Sequence, residues 1–365
     1  MVENLSAQQQ NKVLTLLEPI NDPRIKDRHF EQVPAIGASA DGKQLFVAWY
    51  SGGAAPGPGN YVTVAVSTDH GKSWMNDQLV IYPGDPSVRV FDPALWRDGN
   101  NQMNLFFGVS GKNKLFDGWG GVNTLPISWT GSRLVAGEVI RIADGIMSNK
   151  PIQLDKSTAL FPLYIDELED RESGAPKDGA YILSQNYSST QPSLTRLKPY
   201  GAIEIEDELR IHDEPQIVHL QGEEFLGLVR TVKGIYYAVS KDNGRTWSKV
   251  SPFVAAGPTT SSRFYIGKLK SGNLSLVMNS STTRNNMTAF LSKDGGRSWP
   301  HRLLLDAREN VSYPDADQTS DGTIHVVFDR DRTGDKEILY SRFSEADILS
   351  GTSKNIFRNR VNGAN

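Results

Sequence analysis

The side chains of this chain best suited to chemistry are cations, carboxylates and one tyrosine, scattered from Arg28 to Asp317. In chain order they are Arg28, His29 and Gln32; Asp92; Asn149 and Lys150; Asp213 and Glu214; Arg263; and Tyr313, Asp315 and Asp317. Arg230 follows Glu214 by sixteen residues, and Arg284 precedes an Asp-Gly-Gly turn. Gathered in one place, they would form a cationic pocket holding paired carboxylates and a phenol, groups that exchange protons and bind anions. Only a fold that brings distant segments to a common point could gather them.

Internal repeats supply that fold. Ser67-Thr-Asp69-His-Gly71-Lys-Ser73-Trp74, Ser240-Lys-Asp242-Asn-Gly244-Arg-Thr246-Trp247 and Ser292-Lys-Asp294-Gly-Gly296-Arg-Ser298-Trp299 share the form S-x-D-x-G-[KR]-[ST]-W. Such an octapeptide predicts a turn in which Asp and Ser or Thr oxygens accept backbone N–H bonds, Gly takes positive φ, and Trp packs on a neighbouring sheet. These aspartates are therefore structural. Asp242 and Asp294 are 52 residues apart, and the 173 residues from Asp69 to Asp242 hold three periods of about 58.

A second element recurs at the same interval, a short apolar strand opened by polar residues and usually Pro. The copies begin at Gln32-Val33-Pro34, Asp92-Pro93, Asn149-Lys150-Pro151, Glu214-Pro215, Ser262-Arg263-Phe264 and Ser312-Tyr313-Pro314. Between them, runs such as Leu45–Tyr50, Tyr61–Val66, Phe225–Val229, Ile235–Val239 and Ile324–Phe328 read as strands. Helical periodicity is confined to Gln8–Leu17 and Glu345–Leu349. Six openings predict an all-β, six-bladed β-propeller of four-stranded antiparallel blades, with a seventh blade as the structural alternative. The expected boundaries are residues 1–27 as an extension supplying a closing strand or exterior helix, 28–357 as the propeller, and 358–365 as a tail. In a propeller the innermost strands surround one axis, so equivalent positions of the six openings converge despite their separation in sequence.

Composition narrows the functions. With 39 Lys+Arg against 42 Asp+Glu the net charge is −3, and no long block of either sign offers a footprint for nucleic acid or an anionic membrane. There is no Cys, which excludes disulfides, thiolate nucleophiles and sulfur-ligated metals. His70, His219, His301 and His325 show no metal spacing, so neither a metal nor a cofactor is expected. The polar Met1–Glu18 segment lacks the apolar stretch of a secretory leader, and the expected location is cytoplasmic.

The Asp turns resemble the Asp boxes of the sialidase (neuraminidase) superfamily, and the resemblance spans nearly the whole chain. Glu214-Pro215-Gln-Ile-Val218 followed by Leu228-Val-Arg230 is similar to the segment carrying the sialidase general base and the second of three substrate-carboxylate arginines. Arg284 resembles the third, and Ser312-Tyr313 resembles the site of the nucleophilic tyrosine. The implied activity is exo-glycosidic hydrolysis of a terminal acidic sugar. Glu214 would take the phenolic proton of Tyr313, and the arginine forks would hold the substrate carboxylate bidentately. The implied partner is thus a carbohydrate, one bearing a carboxylate.

The first blade departs from that pattern. Gln32-Val33-Pro34 stands where the superfamily has Arg-Ile-Pro, leaving Arg28 or Arg24 to supply a first arginine. From Gly42 to Thr68 there is no Asp or Glu, so the acid must come from elsewhere, with Asp92, Asp117 and His29 as candidates. The Gly/Pro-rich Tyr50–Tyr61 segment reads as a pocket rim. Other readings stay open. Arg230, Arg284 and Glu214 could bridge blades, Tyr313 could be a packed aromatic, and Asn149, Lys150, Arg263 and Asp315 could contact substrate or stitch blades. The alternative activities are a glycoside hydrolase or polysaccharide lyase acting on rhamnosides or uronides, and a non-catalytic glycan- or protein-binding propeller.

Overall fold

A computed structural model of the chain describes residues 13–17, 22–26, 28–111, 120–166, 179–186 and 194–363. Six antiparallel sheets succeed one another along it, and apart from Val13–Leu17 in the first and Arg133–Ala136 beside the second, the strands of each follow in sequence order from the axis outward. The first strands, Glu31–Ala38, Val90–Arg97, Ile152–Gln153, Gln216–His219, Tyr265–Lys268 and Val311–Gln318, surround the axis. This is the six-bladed propeller expected from the repeats, and the runs read as strands lie within strands. The helix Glu345–Ser350 is also where periodicity put it, capped by Ser344 and by Gly351 at φ 65°.

Two terminal expectations require correction. Val13–Leu17, whose periodicity is helical but whose segment is open to a closing strand as well, forms a fifth strand on the outer edge of blade 1, paired from Val13 opposite Pro83 to Leu17 opposite Leu79. An apolar run too short to hold a helix alone gains a complete hydrogen-bond ladder by covering that open edge. Residues 358–360, expected in a tail, belong to the strand Phe357–Arg360, which pairs with Leu339–Arg342 as the outermost strand of blade 6.

Blade 6 therefore takes all its strands from the C-terminal end, and blade 1 none of them. The ring closes through side chains. Ile36, Val47, Trp49 and Trp74 of blade 1 pack with Val327, Ile338 and Tyr340 of blade 6 in one buried cluster. Asp315 and Asp317 accept the backbone N–H groups of Ile36 and Ala38, each at 2.8 Å, so blade 6 hydrogen-bonds the innermost strand of blade 1.

The three Asp turns are near copies. In each, Ser67, Ser240 or Ser292 donates to the Asp at 2.8 Å, and the Ser or Thr four residues after that Asp donates to it at 2.6 Å. All join the third and fourth strands of a blade, at the end remote from the loops joining second and third strands. Gly71 is required twice over, for its φ of 79° and because a Cβ there would overlap the Tyr340 ring that closes blade 6 on blade 1.

Candidate active site

Four of the six openings use one backbone device. Val33, Asp92, Glu214 and Tyr313 each stand immediately before a proline with φ of 56°, 46°, 41° and 51°. Positive φ in a non-glycine residue costs about 1–3 kcal/mol and persists where surrounding structure enforces it. The ladder slips between Gln32 and Ala35, Phe91 and Ala94, and Ser312 and Asp315, as a β-bulge does when it re-aims a side chain. Three of these four residues are polar, and all three join one buried cluster.

Arg230, at the end of the second strand of blade 4, binds two members of that cluster through a single nitrogen. Its Nη1 donates to Glu214 Oε2 at 3.3 Å and to the Tyr313 hydroxyl at 3.2 Å. The phenol and the carboxylate are bridged by this guanidinium and make no direct hydrogen bond to each other. Arg263 donates from Nη2 to Asp92 Oδ2 at 2.9 Å and to Glu214 Oε1 at 3.3 Å. Ser148 donates to the same Asp92 oxygen at 3.4 Å, and Arg284 reaches the Tyr313 hydroxyl at 3.4 Å.

Tyr313 thus sits in a cage of cations. The guanidinium carbons of Arg332, Arg284, Arg263 and Arg230 lie 4.2, 5.0, 5.1 and 6.0 Å from its ring centre. Burial pushes the phenol up and the charge of Glu214 adds to this, yet Arg230, Arg332 and Arg284 outweigh both and hold it below the ordinary phenol range. Burial likewise pushes Glu214 up, and Arg230 and Arg263, with His212, hold it below the ordinary carboxylate range. The cluster is consequently built to keep negative charge on Glu214 and to ease the formation of a phenolate at Tyr313.

Other residues expected in the site do different work. Lys150 lies on the axis, where its ammonium bonds Asp315 at 2.7 Å, the Leu95 carbonyl at 2.8 Å and the Ile36 carbonyl, tying four blades together. Asn149 donates to the Glu214 and Pro215 carbonyls, each at 3.1 Å, and accepts from Gln216 at 2.7 Å, stitching blade 3 to blade 4. Gln32 is buried with its Oε1 lacking a hydrogen-bond partner. Arg28 is committed to Asp77 at 2.7 Å, Arg24 pairs with Asp22, and neither supplies a first-blade arginine to Tyr313. His29 is exposed on the segment entering blade 1. Asp213 is buried against Arg210 at 2.7 Å, burial raising its carboxyl to about 6. Asp117 lies outside the described residues.

Two features escaped the sequence reading. Arg332 stacks on Tyr313 and donates to Ser312 at 2.7 Å; its place just after the second strand of blade 6, matching Arg230 in blade 4, was the available signal. His212, two residues before Glu214, bonds Asp166 at 2.8 Å. A cleft of about 970 Å³ between blades 4 and 5, lined by Phe253, Val254 and the Asp294–Arg297 turn, shares no residue with the axial cluster. It lies at the Asp-turn end of the blades, away from Tyr313.

Residues 43–326 match the family model described as a BNR repeat-like domain. No curated protein sequence matches the chain. Among solved structures it is similar to a Hadza microbial sialidase, Hz136, at 15% identity and a TM-score of 0.67, covering 88% of this chain and 66% of that one. The NanB sialidase of Streptococcus pneumoniae superposes at 13% identity and a TM-score of 0.63, covering 90% of this chain and 70% of that one. A Trypanosoma rangeli sialidase in complex with sialic acid does so at 12% and 0.58, covering 91% and 56%. The chain thus spans from about half to about two thirds of the length of these sialidases. What is shared is the propeller fold.

Proposed function

We propose, from the premise that the chain belongs to the BNR repeat-like family and has the sialidase-like fold, that it is an exo-glycosidase hydrolysing a terminal acidic sugar such as sialic acid. The observation carrying this reading is Tyr313, a buried phenol caged by four arginines and sharing Arg230 with Glu214. A sugar whose anomeric carbon bears a carboxylate repels an anionic nucleophile, and a tyrosine that ionises only as it attacks meets less repulsion.

In this mechanism the substrate carboxylate enters among Arg230, Arg284 and Arg332. Arg230 turns from Glu214 and the phenol to the substrate, freeing Glu214 to receive the phenolic proton. The Tyr313 oxygen attacks the anomeric carbon, and water later displaces it with net retention. Arg263 stays with Asp92 and Glu214 as the fixed counter-charge of the two carboxylates.

The test is release of fluorophore from an aryl α-sialoside by the full chain beside Tyr313→Phe. Turnover lost in the variant is the expected result. A folded wild-type chain that releases nothing from sialosides, rhamnosides or uronides would end the hydrolase reading and leave the binding propeller.

A further inference from the structure

Arg230 and Arg284 meet the Tyr313 hydroxyl, whereas Arg332 meets the face of the ring and is held there by bonds of its own. Its Nη2 donates to Ser312 at 2.7 Å and its Nε pairs with Asp329 at 3.3 Å, so one edge of the guanidinium is occupied. The Ser312 hydroxyl donates in turn to Asp329 at 2.7 Å, and the Arg332 carbonyl accepts the Glu31 N–H at 3.0 Å. Main chain and side chain are both pinned, with the guanidinium carbon 4.2 Å from the ring centre. Asp329 itself is fully buried and stands opposite Ser312 in the ladder of blade 6. At the same register beside the bulges of blades 1 and 2 stand Tyr50, opposite Gln32, and Gly108, opposite Phe91. The carboxylate is thus no part of the repeated blade frame, and a buried one persists only where partners compensate its desolvation. Those partners are the Val33 N–H at 3.0 Å, Ser312 and Arg332, and the last two flank Tyr313.

We propose that Asp329 is a positioning residue for the nucleophile: with Ser312 it fixes Arg332 against the face of Tyr313, where the guanidinium stabilises the phenolate character that develops on the ring. This rests on the reading above of Tyr313 as the nucleophile of a glycosidase. The face of an aromatic ring attracts a cation, and the attraction strengthens as the ring takes up phenolate charge. A cation already in place needs no rearrangement when that charge appears. Arg230 turns to the substrate in that reading, whereas Arg332 stays on the ring because Asp329 and Ser312 hold its edge.

The electrostatics agree with this role. The charged and ionisable groups facing the Tyr313 phenol are Tyr50 from blade 1, Glu214 and Arg230 from blade 4, Arg263 and Arg284 from blade 5, and Arg332 from its own blade. Burial and Glu214 push the phenol up, and of the arginines that outweigh them Arg332 is second only to Arg230.

The test is a spectrophotometric titration of the full chain that follows tyrosinate absorbance. The Tyr313 component is the difference between each protein and the same protein carrying Tyr313→Phe. In Arg332→Met the ionisation of Tyr313 should move up by roughly 1–2 pH units. In Asp329→Asn it should move up by a smaller amount, because Arg332 is released from the ring. The sign is decisive: an Asp329 acting only as one more negative charge near the phenol would, once neutralised, let the ionisation move down. Adding Asp329→Asn to Arg332→Met should give no further rise, since its effect passes through the arginine. Should Asp329→Asn fail to fold, Ser312→Ala removes the other bond to the same edge and should also raise the ionisation. A phenol that is unmoved or moves down in the variant carrying the test overturns the assignment. On an aryl α-sialoside, Asp329→Asn should lower kcat about tenfold while KM stays within about threefold. A raised KM at unchanged kcat would assign Arg332 to substrate binding and overturn the proposal as well. A wild-type chain inactive on sialosides rejects the glycosidase reading whatever the titration gives, whereas an active chain whose phenol does not rise in Asp329→Asn rejects only the role of Asp329.

Discussion

The openings of blades 1 and 6 are built alike and do different things. Gln32-Val33-Pro34 and Ser312-Tyr313-Pro314 both slip register at the same place, and Val33 and Tyr313 are both buried before a proline at φ near 50°. They even share a partner, since Asp329 accepts the Val33 N–H at 3.0 Å and the Ser312 hydroxyl at 2.7 Å. Blade 6 presents a phenol to four arginines, whereas blade 1 presents an isopropyl group to a hydrophobic cluster that also contains Tyr313. The strained bulge is thus an architectural device for aiming one residue inward, and chemistry depends on which residue is aimed.

The largest expected effect separates the two openings directly. Tyr313→Phe should lower sialoside turnover by roughly 10³-fold or more, the scale of losing a nucleophile that acts with its partners as a unit, while circular dichroism and melting remain near wild type. Val33→Ala should leave turnover within about threefold and cost about 1 kcal/mol by urea denaturation, from the lost methyl groups less the relief of β-branched strain. A comparable loss of turnover in Val33→Ala would mean that blade 1 takes part in the chemistry.

Next in size is the counter-charge of the cluster. Arg263→Met strands Asp92 as a buried carboxylate and leaves Glu214 to Arg230 alone, and should destabilise the fold by about 3–5 kcal/mol in urea. Lys150→Met should cost about 3 kcal/mol for the same reason, since it abandons Asp315 on the axis. Combining Lys150→Met with Asp315→Leu should recover much of that loss, because no buried charge is then left unpaired. Unlike Arg263→Met, the double variant should keep turnover if Lys150 and Asp315 only stitch blades together.

These contrasts also explain what was legible in the chain. Six openings with Pro and apolar alternation, and three copies of one turn, disclose a propeller because each blade repeats the same local solution. Convergence on the axis then picks out Asp92, Glu214, Arg230, Arg263, Arg284 and Tyr313 as neighbours. It does not give depth along the axis, so Lys150 and Asp315 were counted with the pocket although they bind carbonyls and strands. Arg28 looked available in sequence but meets Asp77, a partner 49 residues away that no local pattern announces. Helix and closing strand stay undecided for Val13–Leu17, and Phe357–Arg360 reads as a tail, because edge pairing is decided by non-local partners.

The Asp turns sharpen the comparison from the other end of the blades, where charge is used without convergence. Asp69 and Asp294 are held at about 2. For Asp294 the main cause is the Ser298 hydroxyl; for Asp69 burial works upward but is exceeded by the bonds from Ser73, Ser67 and Lys72. A carboxyl whose folded pKa is depressed contributes stability that is present above its unfolded value of 3.8 and is lost as pH falls through the folded value. The urea midpoint should therefore drop between about pH 4 and pH 2, and Asp294→Asn should flatten that slope by lowering the midpoint at pH 7 while leaving it nearly unchanged at pH 2. Turnover should not respond, because the turn touches neither Tyr313 nor Glu214. A pH-rate profile displaced by Asp294→Asn would show instead that the two ends of the blade are coupled, and that the turns do more than hold the strands from which the openings are aimed.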